Sequence, residues 1–119
     1  VIITCYDDLK TALTTNSELT LMPNPYRNLI VAPATGTGAC VGATTVDMTA
    51  DYFGWFQTQG PAALLTSGTL VLTAPCVQSD TTAGAVEPLD ADVETESQAI
   101  GKVMCVSATT EYSLVWMNL

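Results

Sequence analysis

The chain has 119 residues and a mass of 12.5 kDa, which suits one domain with a buried core and leaves no room for a second of full size. Only 13% of the residues are charged, and 12 acidic against 3 basic residues give a net charge of −9. Three cations cannot form the basic patch that nucleic acids or anionic lipid surfaces require. Histidine is absent, which removes the usual general base and the commonest metal ligand.

The N-terminal part of the chain differs in pattern from the rest. Residues 6–14 are predicted as a possible short helix, with Asp7 and Asp8 able to cap its first turn. No basic segment followed by an apolar stretch opens the chain, so we predict no signal peptide. We expect residues 1–28 to form an N-terminal arm or extension and residues 29–119 to form a β domain.

The remainder of the chain is rich in Thr and Val and poor in Lys and Glu, which favours pleated strands over helices. Short strands separated by turn residues predict an all-β fold, an antiparallel sandwich or barrel that is jelly-roll-like. Residues 79–97 are predicted as an acidic, turn-rich connection. The strands are predicted at residues 19–21, 29–33, 41–48, 51–59, 62–65, 69–74, 98–108 and 111–119.

Residues 51–61 (DYFGWFQTQGP) are the most distinctive stretch, because as a strand they would present large aromatic side chains on both faces. One face is therefore expected to lie in the core and the other to meet another protein. On the last predicted strand Tyr112, Leu114 and Trp116 share one side, and Val115 and Met117 share the other. The candidate interface or core residues are Tyr52, Phe53, Trp55, Phe56, Tyr112 and Trp116.

Four cysteines lie far apart in the sequence, at gaps of 35, 36 and 29 residues. No pair has the C-x-x-C spacing of a zinc or redox motif. Their apolar neighbours predict reduced thiols that are buried as small hydrophobic residues at Cys40, Cys76 and Cys105. Disulfides are the alternative, and the sequence does not choose among the three possible pairings of four cysteines.

The acidic and hydroxyl side chains are candidates for catalytic or metal sites. The run Asp90-x-Asp92-x-Glu94 resembles the start of a calcium loop but lacks the later Gly and Glu ligands. We therefore predict that Glu87, these three residues and Glu96 keep a solvated loop soluble. A carboxylate pair in a cleft or a Ser–Lys pair has no supporting pattern. The sequence predicts no enzyme, no cofactor and no metal.

The region from the aromatic strand onward resembles capsid decoration, or cement, proteins of tailed double-stranded DNA phages. The resemblance covers about residues 29–119. It lies in the Gln-Thr-x-Gly-Pro end of the aromatic strand, in Ser67-Gly68-Thr69-Leu70-Val71, in Ala83-Gly84-Ala85-Val86, in Gly101 and in Glu111-Tyr112-Ser113-Leu114-Val115. It implies a β-rich domain without enzyme activity that lies on the outer capsid surface, often as trimers or dimers.

On this basis we expect a structural virion protein, assembled in the host cytoplasm, that binds the major capsid protein and its own copies and stabilises the head. Nucleic acid and membrane are not expected partners. The alternative is a secreted Thr-rich binding module, such as an adhesin or a carbohydrate-binding domain. A third interpretation is another phage structural module, belonging to the tail or to a fibre. Reduced thiols favour assembly in a reducing cytoplasm, whereas disulfides would favour secretion.

Overall fold

A computed structural model describes residues 2–89 and 98–119. Within these ranges the chain forms seven β-strands and no helix, which confirms the all-β prediction. No helix in the same ranges is long and apolar enough to cross a membrane. The strands are β1 (Ala43–Thr44), β2 (Phe56–Gln57), β3 (Gln59–Thr66), β4 (Pro75–Gln78), β5 (Ala85–Pro88), β6 (Ala99–Cys105) and β7 (Tyr112–Asn118).

Strands β3, β5, β4, β6 and β7 form a closed barrel in that order, and β1 pairs with β2 in a separate two-stranded ribbon. The sequence predicts a sandwich or a barrel, and the structure shows the barrel. Its neighbours are antiparallel except β3 and β5, which run parallel from Leu65 opposite Ala85 to Thr66 opposite Val86. Strand directions cannot alternate all the way round a ring with an odd number of members. One parallel pair is thus a consequence of closing five strands.

The barrel core follows from the two-residue periodicity of the strands. In β7, Ser113, Val115 and Met117 point inward and are buried, while the intervening side chains face outward, as the sequence alternation predicts. Burying these apolar side chains is the main stabilising term, at roughly 25 cal/mol per Å². The buried hydrophobic cluster contains Ala62, Leu70, Cys76, Val86, Ile100, Val103, Val115 and Met117.

The last two strands form the hairpin that the sequence predicts, with β6 antiparallel to β7. The turn closes with a hydrogen bond from the Glu111 amide to the Ala108 carbonyl (3.1 Å), and Thr110 takes a positive φ of 69°. The pairing register shifts between Val103 and Cys105, which marks a β-bulge in β6.

A buried polar cluster lies beside the core and corrects one prediction. Glu87 belongs to β5 and is buried, and its carboxylate accepts hydrogen bonds from the Ser79 hydroxyl (2.8 Å) and the Asp80 amide (3.0 Å). Ser79 in turn accepts from the amides of Thr81 (3.2 Å) and Thr82 (3.0 Å). Glu87 thus fixes the β4–β5 turn instead of solvating a loop. The other acidic residues of that prediction, 90–96, lie outside the described residues.

Several predicted elements are absent. Residues 6–14 contain bends and no helix, and no strand forms at 19–21 or 29–33. A single helical turn is unstable unless it packs against a neighbour, and these residues are exposed. The predicted strand 41–48 is reduced to β1. Residues 69–74 contribute the buried Leu70 but turn at Thr73, whose φ is 67°.

Residues 32–43 are fastened to the barrel, whereas residues 2–28 are exposed throughout. The Ala32 carbonyl accepts from the Gly84 amide (2.8 Å), and the Pro33 carbonyl accepts from the Gln78 side chain (2.9 Å). The Gln98 side chain accepts from the Cys40 amide (2.6 Å) and donates to the Cys40 carbonyl (3.2 Å), as a neighbouring strand would. The division into an arm of 1–28 and a domain of 29–119 stays a prediction.

Candidate protein-interaction surface

Three adjacent strands of the barrel, β3, β7 and β6, present a nearly uncharged surface to solvent. We call this surface the outer face. Its members are eight of the outward side chains of those strands, namely Pro61, Ala63, Leu65, Lys102, Met104, Tyr112, Leu114 and Trp116, and the polar Gln59 and Asn118 lie at one end of it.

The strand register makes the outer face continuous. Pro61, Ala63 and Leu65 of β3 lie opposite Trp116, Leu114 and Tyr112 of β7, and Lys102 of β6 lies on the other side of Trp116. Tyr112 is 68% exposed and Trp116 49% exposed. Cross-strand neighbours of this kind pack side by side, so the apolar atoms form one patch. A contiguous apolar patch on a soluble chain is typical of a protein-binding surface.

The aromatic segment lies elsewhere, in the loop between β1 and β2. The predicted strand 51–59 is wrong over residues 51–55, because the β1–β2 ladder has two residue pairs and no other strand of the described residues pairs with this segment. Tyr52 is 75% exposed, Trp55 is 91% exposed, and Phe53 is fully exposed. The core alternative is therefore excluded for these three side chains. The interface alternative stays a prediction.

The same loop folds around an open depression of about 490 Å³, which is lined by residues 45–49 and 52–55. The Met48 side chain lies over Gly54, in the space that a Cβ at that position would take. Phe56 is half-buried, and a Cβ built on Gly42 would lie only 2.8 Å from its Cβ. Phe56 is thus the anchored aromatic residue of the segment, and Tyr52, Phe53 and Trp55 project from it.

The four thiols are unpaired and differ in exposure. Cys76 is fully buried, and this burial raises the pKa of its thiol from 9.0 to about 11. Cys40 is half-buried. Cys105 was predicted to be buried but is exposed, because the bulge in β6 turns it outward beside Leu114. Cys5 is exposed in the N-terminal segment.

Two glutamines have structural roles that the sequence analysis missed. The Gln57 side chain donates to the carbonyls of Gln59 (3.1 Å) and Pro61 (2.8 Å), and so covers part of the β3 edge. Gln98 holds the Cys40 backbone in the same manner. The sequence contains a signal only for the Gln57 contact. That signal is Pro61, because proline has no backbone amide to donate to a β-ladder and is typical of protected strand edges. Gln98 lies 58 residues from its partner, and no local pattern predicts that contact.

Within residues 2–89 and 98–119 no group of three or more potential ligands is placed to hold a metal ion. Comparison of the chain with protein-family models, with curated proteins and with solved structures finds no match. By its fold the chain is an all-β barrel protein. Its candidate site is the outer face together with the exposed aromatic loop.

Proposed function

We propose that the chain is a capsid decoration protein, a structural virion component that binds the major capsid protein and its own copies on the outer surface of a phage head. The observation that carries the proposal is the outer face, a continuous apolar sheet surface with one charge on a chain of net charge −9. The resemblance of residues 29–119 to decoration proteins supports the same function.

The physical action of such a protein is to bridge capsid subunits by burying apolar area. Each Å² removed from water contributes roughly 25 cal/mol before the costs of association. Aromatic anchors dominate interfaces of this kind, and Trp116 and Tyr112 occupy the middle strand of the outer face. The acidic remainder of the surface favours the solubility of unbound copies. Assembly in a reducing cytoplasm suits the four unpaired thiols.

Binding to heads that lack the protein tests the proposal. Purified wild-type chain should co-sediment with such heads, and Trp116→Glu should weaken that binding at least about tenfold. The matched control is Leu72→Glu, because Leu72 is similarly exposed but lies outside the outer face. Equal binding of wild type and Trp116→Glu, or recovery of the protein in tails alone, would refute the proposal.

The exposed aromatic loop favours a second candidate, a carbohydrate-binding module. Tyr52, Phe53 and Trp55 line one part of an open depression, as stacking platforms for sugar rings do. Asp47 is the charged residue that lines this depression, whereas sugar sites use several polar groups to fix orientation. A glycan array would show saturable binding that Trp55→Ala abolishes if this candidate is correct. Thiol titration of the unfolded, unreduced protein would then find disulfides instead of four thiols.

A further inference from the structure

The segment of residues 2–28, which we call the arm, exposes nine large hydrophobic side chains between Ile2 and Tyr26. Its large side chains project into solvent, with Tyr6 fully exposed and Met22 88% exposed. Its hydrogen bonds are local, such as Ser17 amide to Thr14 carbonyl (3.0 Å) and Arg27 amide to Asn24 carbonyl (3.2 Å). The arm therefore has apolar area to bury, and its side chains are not packed against its own barrel.

Charge divides unevenly between the arm and the rest of the chain. Residues 1–28 carry three acidic and two basic side chains, a net charge of −1, and the remaining residues therefore carry −8 of the total of −9. Lys102, on the outer face, is the only basic residue beyond position 28. Two barrels repel each other, whereas an arm approaches a barrel almost without repulsion. The arm also holds an acidic pair, Asp7–Asp8, that complements Lys102.

The spacing of matching groups agrees along the two segments. Cys5 and Asp7 lie two positions apart and therefore share one face of an extended arm. In β6 the bulge places Lys102 and Cys105 opposite Trp116 and Leu114, which are also two positions apart, and both side chains are exposed. An extended arm segment running antiparallel to β6 would place Asp7 near Lys102 and Cys5 near Cys105. The residues from Asp8 to Asn28 reach up to about 65 Å when extended, enough to span a neighbouring barrel.

We propose that the arm of one copy lies across the outer face of a second copy, with its acidic pair beside Lys102 and Cys5 beside Cys105. This arrangement deepens the self-association in the proposed function and rests on it, but it does not require the capsid protein. It can be tested in solution with the full chain.

The test uses the two exposed thiols as reporters. A Cys5→Ser variant, which keeps Cys105, is mixed with a Cys105→Ser variant, which keeps Cys5, and a short bismaleimide is added. The proposal predicts cross-linked dimers of one copy of each, with the Cys5–Cys105 peptide found by mass spectrometry. Either variant alone lacks one reporter and should give little dimer.

Charge reversal supplies a second measurement. Asp7→Lys or Lys102→Glu alone should lower the cross-linked yield roughly two- to fivefold, and the two together should restore it. Cross-linking of Cys5 to Cys105 within one wild-type copy would overturn the proposal, because the arm would then cover its own barrel. Self-association seen by light scattering without the cross-link would overturn arm exchange and leave self-association intact. A strictly monomeric chain would overturn both, while the head-binding test still decides capsid decoration.

Discussion

At Gly101 strands β6 and β7 approach so closely that no side chain fits. A Cβ at this position would overlap the Trp116 carbonyl and would lie 3.0 Å from the Met117 Cα, both of them backbone atoms that cannot move aside. We expect Gly101→Ala to separate the two strands and to lower the free energy of unfolding by about 1–3 kcal/mol or more. Urea unfolding followed by circular dichroism measures the change.

Gly36→Ala is the matched control, because nothing lies within 4 Å of a Cβ built on Gly36. Its unfolding free energy should stay within about 0.5 kcal/mol of wild type. Equal midpoints for the two variants would show that the close approach of β6 and β7 is wrong.

The buried Cys76 thiol makes stability depend on pH in the alkaline range. Its pKa rises from 9.0 to about 11 because burial disfavours the thiolate. Between these values the unfolded chain has released the proton and the folded chain still holds it, so stability falls as pH rises. The contribution is fully present below pH 9 and is lost as pH approaches about 11, at a cost of about 2–3 kcal/mol.

Urea midpoints for wild type and Cys76→Ala, compared below pH 9 and near pH 11, isolate this effect. The variant is less stable at the lower pH because it leaves a cavity, but it should lose less stability on going to the higher pH. Parallel losses in the two proteins would contradict the burial of the thiol.

Among the elements, the segment 32–43 depends on a side chain for its attachment. Gln98 both accepts from and donates to the Cys40 backbone, so Gln98→Ala removes two hydrogen bonds and leaves the barrel strands paired. We expect faster alkylation of the half-buried Cys40 thiol and faster exchange of its amide, with little change at Cys76. Thr58→Ala serves as control, because the Thr58 contact to Leu119 uses its backbone carbonyl. Unchanged Cys40 rates in Gln98→Ala would show that other contacts hold the segment.

The elements also show how far the sequence predicts this fold. The β6–β7 hairpin was predicted because alternation in residues 112–118 is strict and its two strands are neighbours along the chain. Strand β5 was missed because Glu87 and Pro88 lie in a turn-rich, acidic stretch, and Glu87 is buried only through Ser79 and the Asp80 amide. Residues 51–55 have the composition of a strand but pair with no strand in the part of the chain that the structure describes, and composition does not reveal that.

The candidate site could likewise be predicted only in part from the sequence. Alternation placed Tyr112 and Trp116 on one side of the last strand, which the structure shows to be the outward side. Sequence could not show that β3 lies beside β7 and completes the outer face, because the paired positions are at least 47 residues apart, as for Leu65 and Tyr112. The bulge that exposes Cys105 is likewise a property of the pairing between two strands.

For the whole molecule, the decisive property is the separation of a well-buried barrel from an exposed arm. The Cα radius of gyration is 18.7 Å, against about 13–14 Å for a compact chain of this length. The excess agrees with the longest dimension of 60 Å and with an arm that contributes no residue to the buried core. Folding of the barrel and association of copies are therefore expected to depend on different parts of the chain.

Removal of residues 1–28 separates these two properties. The barrel keeps its buried core and its tether at Ala32, so its unfolding free energy should change by less than about 0.5 kcal/mol. Self-association should fall, since the shortened chain retains a net charge of −8 and loses the nearly neutral arm. Urea unfolding and light scattering at matched concentrations measure the two effects. A shortened chain that unfolds more easily would mean that the arm packs on its own barrel, and unchanged self-association would mean that copies meet through the barrels alone.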